Sequence, residues 1–118
     1  MNAAVIAAAA AAMIGMLAGT EVYAQTMTYG QGKSSCGEYV AASETSRMGK
    51  QQRISPYIDW IAGYATLASI QNGIDYFKGT DAKSIQLWLE NYCRANPLEN
   101  FTDAAVQMMK ELHGKQME

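Results

Sequence analysis

The sequence predicts an all-α domain, a small bundle of about four helices with one disulfide. Apolar residues recur at helical spacing in several segments, and the alternating pattern that is typical of β-strands is absent. The chain holds two cysteines, Cys36 and Cys93, and 49% of its 118 residues are hydrophobic. That length and composition suit one folded domain with a single core.

The charge of the chain excludes one class of function. Only 17% of the residues are charged, the net charge is −2, and no run of Lys or Arg occurs. Nucleic-acid binding depends on clustered positive charge, because contacts with phosphates supply much of the affinity. We therefore expect no nucleic acid among the partners.

Residues 1–24 have the pattern of a cleaved signal peptide. Residues 3–17 are apolar and uncharged, and Val22-Tyr23-Ala24 suits cleavage before Gln25. The apolar stretch is shorter than the roughly 20 residues of a membrane helix, so we expect no membrane span in the mature form. The extreme N-terminus carries no Lys or Arg. The alternative is an Ala-rich helix that the mature protein retains.

Export determines how the cysteines are interpreted. In an oxidising compartment, two cysteines predict one intramolecular disulfide between Cys36 and Cys93. Closing that loop would stabilise a small domain by about 4 kcal/mol. The alternatives are a pair of free buried thiols and a metal site. Because no second Cys or His lies at ligand spacing from either cysteine, we expect no metal.

The helical domain is predicted at residues 34–113. We expect a flexible N-terminus at residues 25–33, which are polar and contain glycine, and a tail at residues 114–118. Ser35 and Glu38, three positions apart, form a capping-box pattern that predicts the start of the first helix.

The second helix is predicted from the N-cap Ser55 to Gly73, with Pro56 as its first residue. Apolar residues cover nearly all of its sides, which predicts the central and most buried helix of the domain. Gly63 lies in its interior, and we expect a neighbouring helix to approach closely there.

The third helix is predicted from the cap Asp81 to Ala95, because Pro97 disfavours helical geometry in the residue before it. A fourth helix is predicted to begin between residues 97 and 102 and to end near residue 113. Apolar positions recur at helical spacing in both, namely Ile85, Trp88, Leu89, Tyr92, Phe101, Ala105, Met108, Met109 and Leu112.

The sequence predicts no catalytic group. His113, the only histidine, is expected at a helix C-terminus, where a cation interacts favourably with the helix dipole. The carboxylates, Glu90 among them, are expected at caps and on helix surfaces. Since no nucleophile has a base beside it, we expect a protein that is not an enzyme and needs no cofactor.

Asp59 has two interpretations. It is either an acid near the helix start, favoured by the dipole, or a partly buried carboxylate whose protonation alters packing and makes the domain pH-sensitive. Four aromatic residues, Trp60, Tyr64, Trp88 and Tyr92, repeat at i and i+4 on two helices. We expect those helices to pack against each other through these rings. A groove for a ligand or a partner protein is the alternative.

Three segments have a distinctive sequence, residues 36–42 (CGEYVAA), 60–64 (WIAGY) and 88–97 (WLENYCRANP), and Phe101 and an amphipathic helix follow them. Together they resemble the HdeA/HdeB family of small periplasmic helical proteins from Gram-negative bacteria. The resemblance covers about residues 34–113. It implies a periplasmic location, a Cys36–Cys93 bridge and a homodimer at neutral pH.

The resemblance also implies a function. The best-studied family members are acid-stress chaperones, which loosen at low pH and bind unfolding proteins through exposed apolar surface. The predicted function is therefore protein binding, as an acid- or stress-protective chaperone. The architecture is also similar to periplasmic immunity proteins of the Rap/Tai group, which neutralise an effector of type VI secretion. An envelope protein of unknown role is a further alternative.

Overall fold

A computed structural model describes residues 27–117, and that part of the chain folds into four helices. Their bounds are α1 Cys36–Arg47, α2 Ser55–Asn72, α3 Ala82–Ala95 and α4 Phe101–Gln116, with 3₁₀ turns at Gly30–Lys33 and Gln51–Arg53. No strand occurs among these residues, so the all-α prediction is confirmed. The signal-peptide prediction lies outside the described residues.

The helix ends follow local sequence signals. Ser35 Oγ accepts a hydrogen bond from the Glu38 amide at 3.1 Å, and the Glu38 carboxylate accepts one from the Ser35 amide at 2.7 Å. This capping box confirms the predicted start of α1. Asp81 caps α3 by accepting from the Ser84 amide at 2.8 Å. Gly73 ends α2 in the left-handed conformation, with φ of 67°.

Two predicted helix bounds are wrong. Ser55 lies inside α2 and is not its cap, because the 3₁₀ turn before it already directs the chain into the helix and Ile54 takes the N-cap position. The Ser55 hydroxyl donates to the Gln51 carbonyl at 3.2 Å instead. At the other end, α4 continues through Gly114 to Gln116, so most of the predicted tail is helical.

The ordered domain also begins earlier than predicted. Residues 30–33, expected to be flexible, form a 3₁₀ turn in which Gly32 is buried. The ring of Trp60 lies so close that a Cβ on Gly32 would fall 2.3 Å from it. The Thr102 hydroxyl donates to the Gly32 carbonyl at 2.8 Å. These contacts fasten the turn between α2 and α4.

The predicted disulfide is confirmed. Cys36 and Cys93 are bonded, with their Cα atoms 4.7 Å apart, and both are fully buried. The bond joins the start of α1 to the end of α3. Backbone hydrogen bonds fasten the α3–α4 connection to the same place, since the Cys36 amide donates to the Glu99 carbonyl at 2.7 Å and the Phe101 amide to the Ser34 carbonyl at 2.8 Å.

An aromatic cluster occupies the centre of the core. The ring of Phe101 stacks on Tyr39 with centroids 5.0 Å apart and meets Tyr57 edge-on at 5.2 Å. Such pairs stabilise a core beyond the area they bury. Helix α4 adds four more buried residues to it, which are Ala104, Ala105, Met108 and Met109.

The prediction that α2 is the central helix is wrong. Of its 18 residues, only Tyr57, Ile61 and Ala65 are buried. Gly63 is exposed, and a Cβ there would have no atom within 4 Å, so no helix approaches it. Helix α2 is apolar on nearly all sides, yet it lies at the edge of the domain with much of its apolar surface uncovered.

Candidate protein-binding surface

The uncovered part of α2 forms a continuous uncharged surface. Residues 60–74 contain no charged side chain. Leu67 is 56% exposed and Ile70 is 75% exposed. Together with the exposed residues Ala62, Gly63 and Thr66, they form what we call the α2 apolar face. Clustered apolar exposure of this kind is typical of surfaces that contact other proteins.

A shallow groove of about 440 Å³ runs beside the α2 apolar face. One wall is α2 itself, and the other is the loop that follows it, which contributes the half-buried side chains of Ile74 and Phe77. Asp75 is the one charged residue in its lining. The groove therefore extends the apolar face by a concave surface that can accept an apolar side chain from a partner.

The four aromatic residues predicted to join two helices form two separate stacks. Trp60 and Tyr64 stack within α2 at 5.5 Å, and Trp88 and Tyr92 stack within α3 at 5.2 Å. The prediction that the two pairs pack against each other is wrong, because the side chains of each pair contact other residues of the domain.

Trp60 donates from Nε1 to the Tyr29 carbonyl at 2.8 Å and packs on Phe101. Trp88 donates to the Glu111 carboxylate at 2.9 Å. The Tyr92 phenol donates to the Glu99 carboxylate at 2.5 Å, and this bond raises the pKa of Tyr92 to about 12. Hydrogen bonds to residues outside each stack's own helix thus position both stacks, and the i, i+4 spacing of the aromatic residues does not indicate these partners.

Asp59, the predicted pH-sensitive residue, is exposed. The hypothesis of a partly buried carboxylate at this position is wrong, because α2 directs Asp59 away from the core. The carboxylate that is buried belongs to Glu90, which the sequence indicated only as a surface residue. Glu90 is 5% exposed.

Three side chains hold the Glu90 carboxylate. Ser43 Oγ donates to it at 2.9 Å, Arg94 donates at 2.9 Å, and Arg47 forms a close ion pair with it. Burial by itself raises the pKa of Glu90, but the hydrogen bonds from Arg47, Arg94 and Ser43 outweigh that effect and hold the pKa below its ordinary value.

These contacts make Glu90 a link between two helices. Ser43 and Arg47 belong to α1, whereas Glu90 and Arg94 belong to α3. Arg94 also bonds the Glu44 carboxylate of α1 at 3.0 Å. We call Ser43, Glu44, Arg47, Glu90 and Arg94 the α1–α3 ion cluster. Only the Glu90–Arg94 spacing of i and i+4 could have indicated it from the sequence.

The described residues contain no group of three or more His, Cys, Asp or Glu side chains placed to hold a metal ion. His113 lies in the last turns of α4, as predicted. Among residues 27–117, no helix is both long and apolar enough to cross a bilayer.

No protein-family model, curated protein or solved structure matches the chain. The HdeA-like resemblance therefore stays a prediction, and a functional proposal has to rest on the fold and its surfaces.

Proposed function

We propose that the chain is an exported, periplasmic protein that acts by binding other proteins, as an acid- or stress-protective chaperone. The single observation that carries the proposal is the α2 apolar face. A helix that is apolar on all sides normally lies buried, and α2 leaves Leu67 and Ile70 in solvent. An apolar surface without charge suits clients of varied sequence, because it imposes no electrostatic requirement on them.

The disulfide supports the export part of the proposal. Bonded cysteines persist in oxidising compartments and are rare in reducing ones. The Cys36–Cys93 bond also holds α1 to α3 at one end whatever the pH, so that a loosened chain stays compact.

The α1–α3 ion cluster supports the response to acid. A carboxylate whose pKa is lowered in the folded state contributes stability above its unfolded pKa, and that stability is lost as the pH falls through the folded value. For Glu90 this stability is lost as the pH falls from the ordinary pKa of a glutamate to the lowered pKa of the folded state. There α1 and α3 would lose their charged contacts while the disulfide still joins them.

Client protection is the direct test. The purified protein is mixed with each of several unrelated enzymes that aggregate at about pH 3, and light scattering is followed. We expect suppression for all of them. Suppression for none, or for one alone, would contradict a general chaperone.

A pair of variants locates the surface. Replacing both Leu67 and Ile70 by Gln should abolish suppression, because it makes the α2 apolar face polar. Leu98→Gln is the control, since Leu98 is 98% exposed but lies in the α3–α4 connection. If Leu98→Gln removed as much activity as the double variant, the α2 apolar face would not be the binding surface.

A further inference from the structure

A second groove lies on the other flank of α2, away from the α2 apolar face. It has a volume of about 200 Å³ and is lined by α2, by the loop after it and by α4. Its apolar part comes from Tyr64, Val106 and Met109. We call it the Tyr64 groove. An apolar cavity of about 150 Å³ accommodates benzene, so this volume fits a single aromatic ring with one small substituent.

The Tyr64 groove has three side chains that can donate hydrogen bonds, which are Lys110, Tyr76 and His113, and the Asn72 amide lies beside them. Lys110 is the one formally charged side chain among the described residues that line it, and no carboxylate is among them. The phenol oxygen of Tyr76 already accepts from Asn72 Nδ2 at 2.9 Å, which leaves its own hydrogen free to donate.

His113 adds a third donor. Its Nδ1 is buried and has no hydrogen-bond partner. Because a buried N–H without an acceptor costs free energy, we assign the hydrogen of the neutral ring to Nε2. Only Nε2 is then able to bond a ligand. Tyr76 packs beside this ring, with the centroids 6.1 Å apart.

We propose that the Tyr64 groove binds a small aromatic carboxylate. The ring would lie on Val106 and Met109, beside the Tyr64 ring, and the carboxylate would accept hydrogen bonds from Lys110, Tyr76 and His113. An anion matches a lining with one cation, donors and no carboxylate. This site is independent of the protein binding proposed above, because it shares no residue with the α2 apolar face.

Titration with benzoate tests the proposal, with benzylamine and benzyl alcohol as probes of the same ring. Backbone ¹H–¹⁵N spectra should show saturable shifts at residues 64, 68, 106, 110 and 113 for benzoate, in about the millimolar range that suits so few atoms. Benzyl alcohol should bind more weakly and benzylamine not at all. Equal binding of the three, shifts elsewhere, or no saturable shift would overturn the proposal.

Variants on α4 identify the charge that matters. Lys110→Gln should weaken benzoate binding about tenfold, the usual effect of losing a charged hydrogen bond. Lys115→Gln removes the same charge five positions further along α4, where Lys115 pairs with Glu111 outside the lining, and it should leave the affinity unchanged. If both variants weaken binding equally, the groove does not position the carboxylate and the proposal fails.

Discussion

The carboxylate of Glu90 is buried, yet its two arginine partners reach it from the surface. The side chains of Arg47 and Arg94 remain 58% and 43% exposed. Each guanidinium therefore keeps part of its hydration, which reduces the desolvation cost that makes fully buried ion pairs weak. Glu90 obtains charged hydrogen bonds on one side and a hydroxyl donor, Ser43, on another.

Replacing Glu90 by Gln should lower the free energy of unfolding at pH 7 by about 2 kcal/mol, because the amide cannot accept charged hydrogen bonds of the same strength. The difference should shrink as the pH falls, since protonation removes the same charge from the native protein. Urea denaturation at pH 7 and at about pH 3 measures both effects.

Glu44→Gln is the matched control for that experiment. Glu44 also bonds Arg94, but its side chain is 51% exposed, so its loss should cost at most about 1 kcal/mol. Equal losses from the two variants would show that burial of Glu90 adds nothing.

At the scale of the elements, two glycines distinguish a packed segment from an uncovered one. Gly32 lies in the 3₁₀ turn against the Trp60 ring, where an added Cβ would fall 2.3 Å from a ring atom. Gly63 lies inside α2, where an added Cβ would meet nothing within 4 Å. The same chemical change therefore has opposite consequences at the two positions.

Gly63→Ala should raise the free energy of unfolding by about 0.5–1 kcal/mol, since alanine is the better helix former and no neighbour obstructs it. Gly32→Ala should lower it by about 1–3 kcal/mol, because the turn must move away from Trp60. Thermal melts followed by circular dichroism compare the two. A loss of stability in Gly63→Ala would contradict the expectation, since it would mean that another group packs against α2 at this position.

Helix ends were largely predictable because their signals are local. The capping box of Ser35 and Glu38 and the left-handed Gly73 each act within a few residues of the chain. The exposure of α2 was not predictable. An apolar sequence indicates that burial would be favourable, but it does not indicate whether another part of the chain packs over the helix. Glu90 was missed for a related reason, since Ser43 lies 47 positions away.

For the whole molecule, the disulfide should account for a large part of the stability. Reduction, or replacement of Cys36 and Cys93 by Ala, should lower the free energy of unfolding by about 4 kcal/mol, because the bond closes a loop of 57 positions in the unfolded chain. Thermal melts with and without reductant check this. An unchanged melting temperature, with the bond shown by mass spectrometry to be broken, would contradict the expectation.

The position of the disulfide also allows one order of events when the chain folds from its N-terminus. Both cysteines precede Phe101, whose ring contacts Tyr39 and Tyr57 at the centre of the core. The covalent ring of residues 36–93 holds α1, α2 and most of α3 but excludes α4. Oxidation can therefore precede packing, and the last helix then inserts into a chain that is already cyclised.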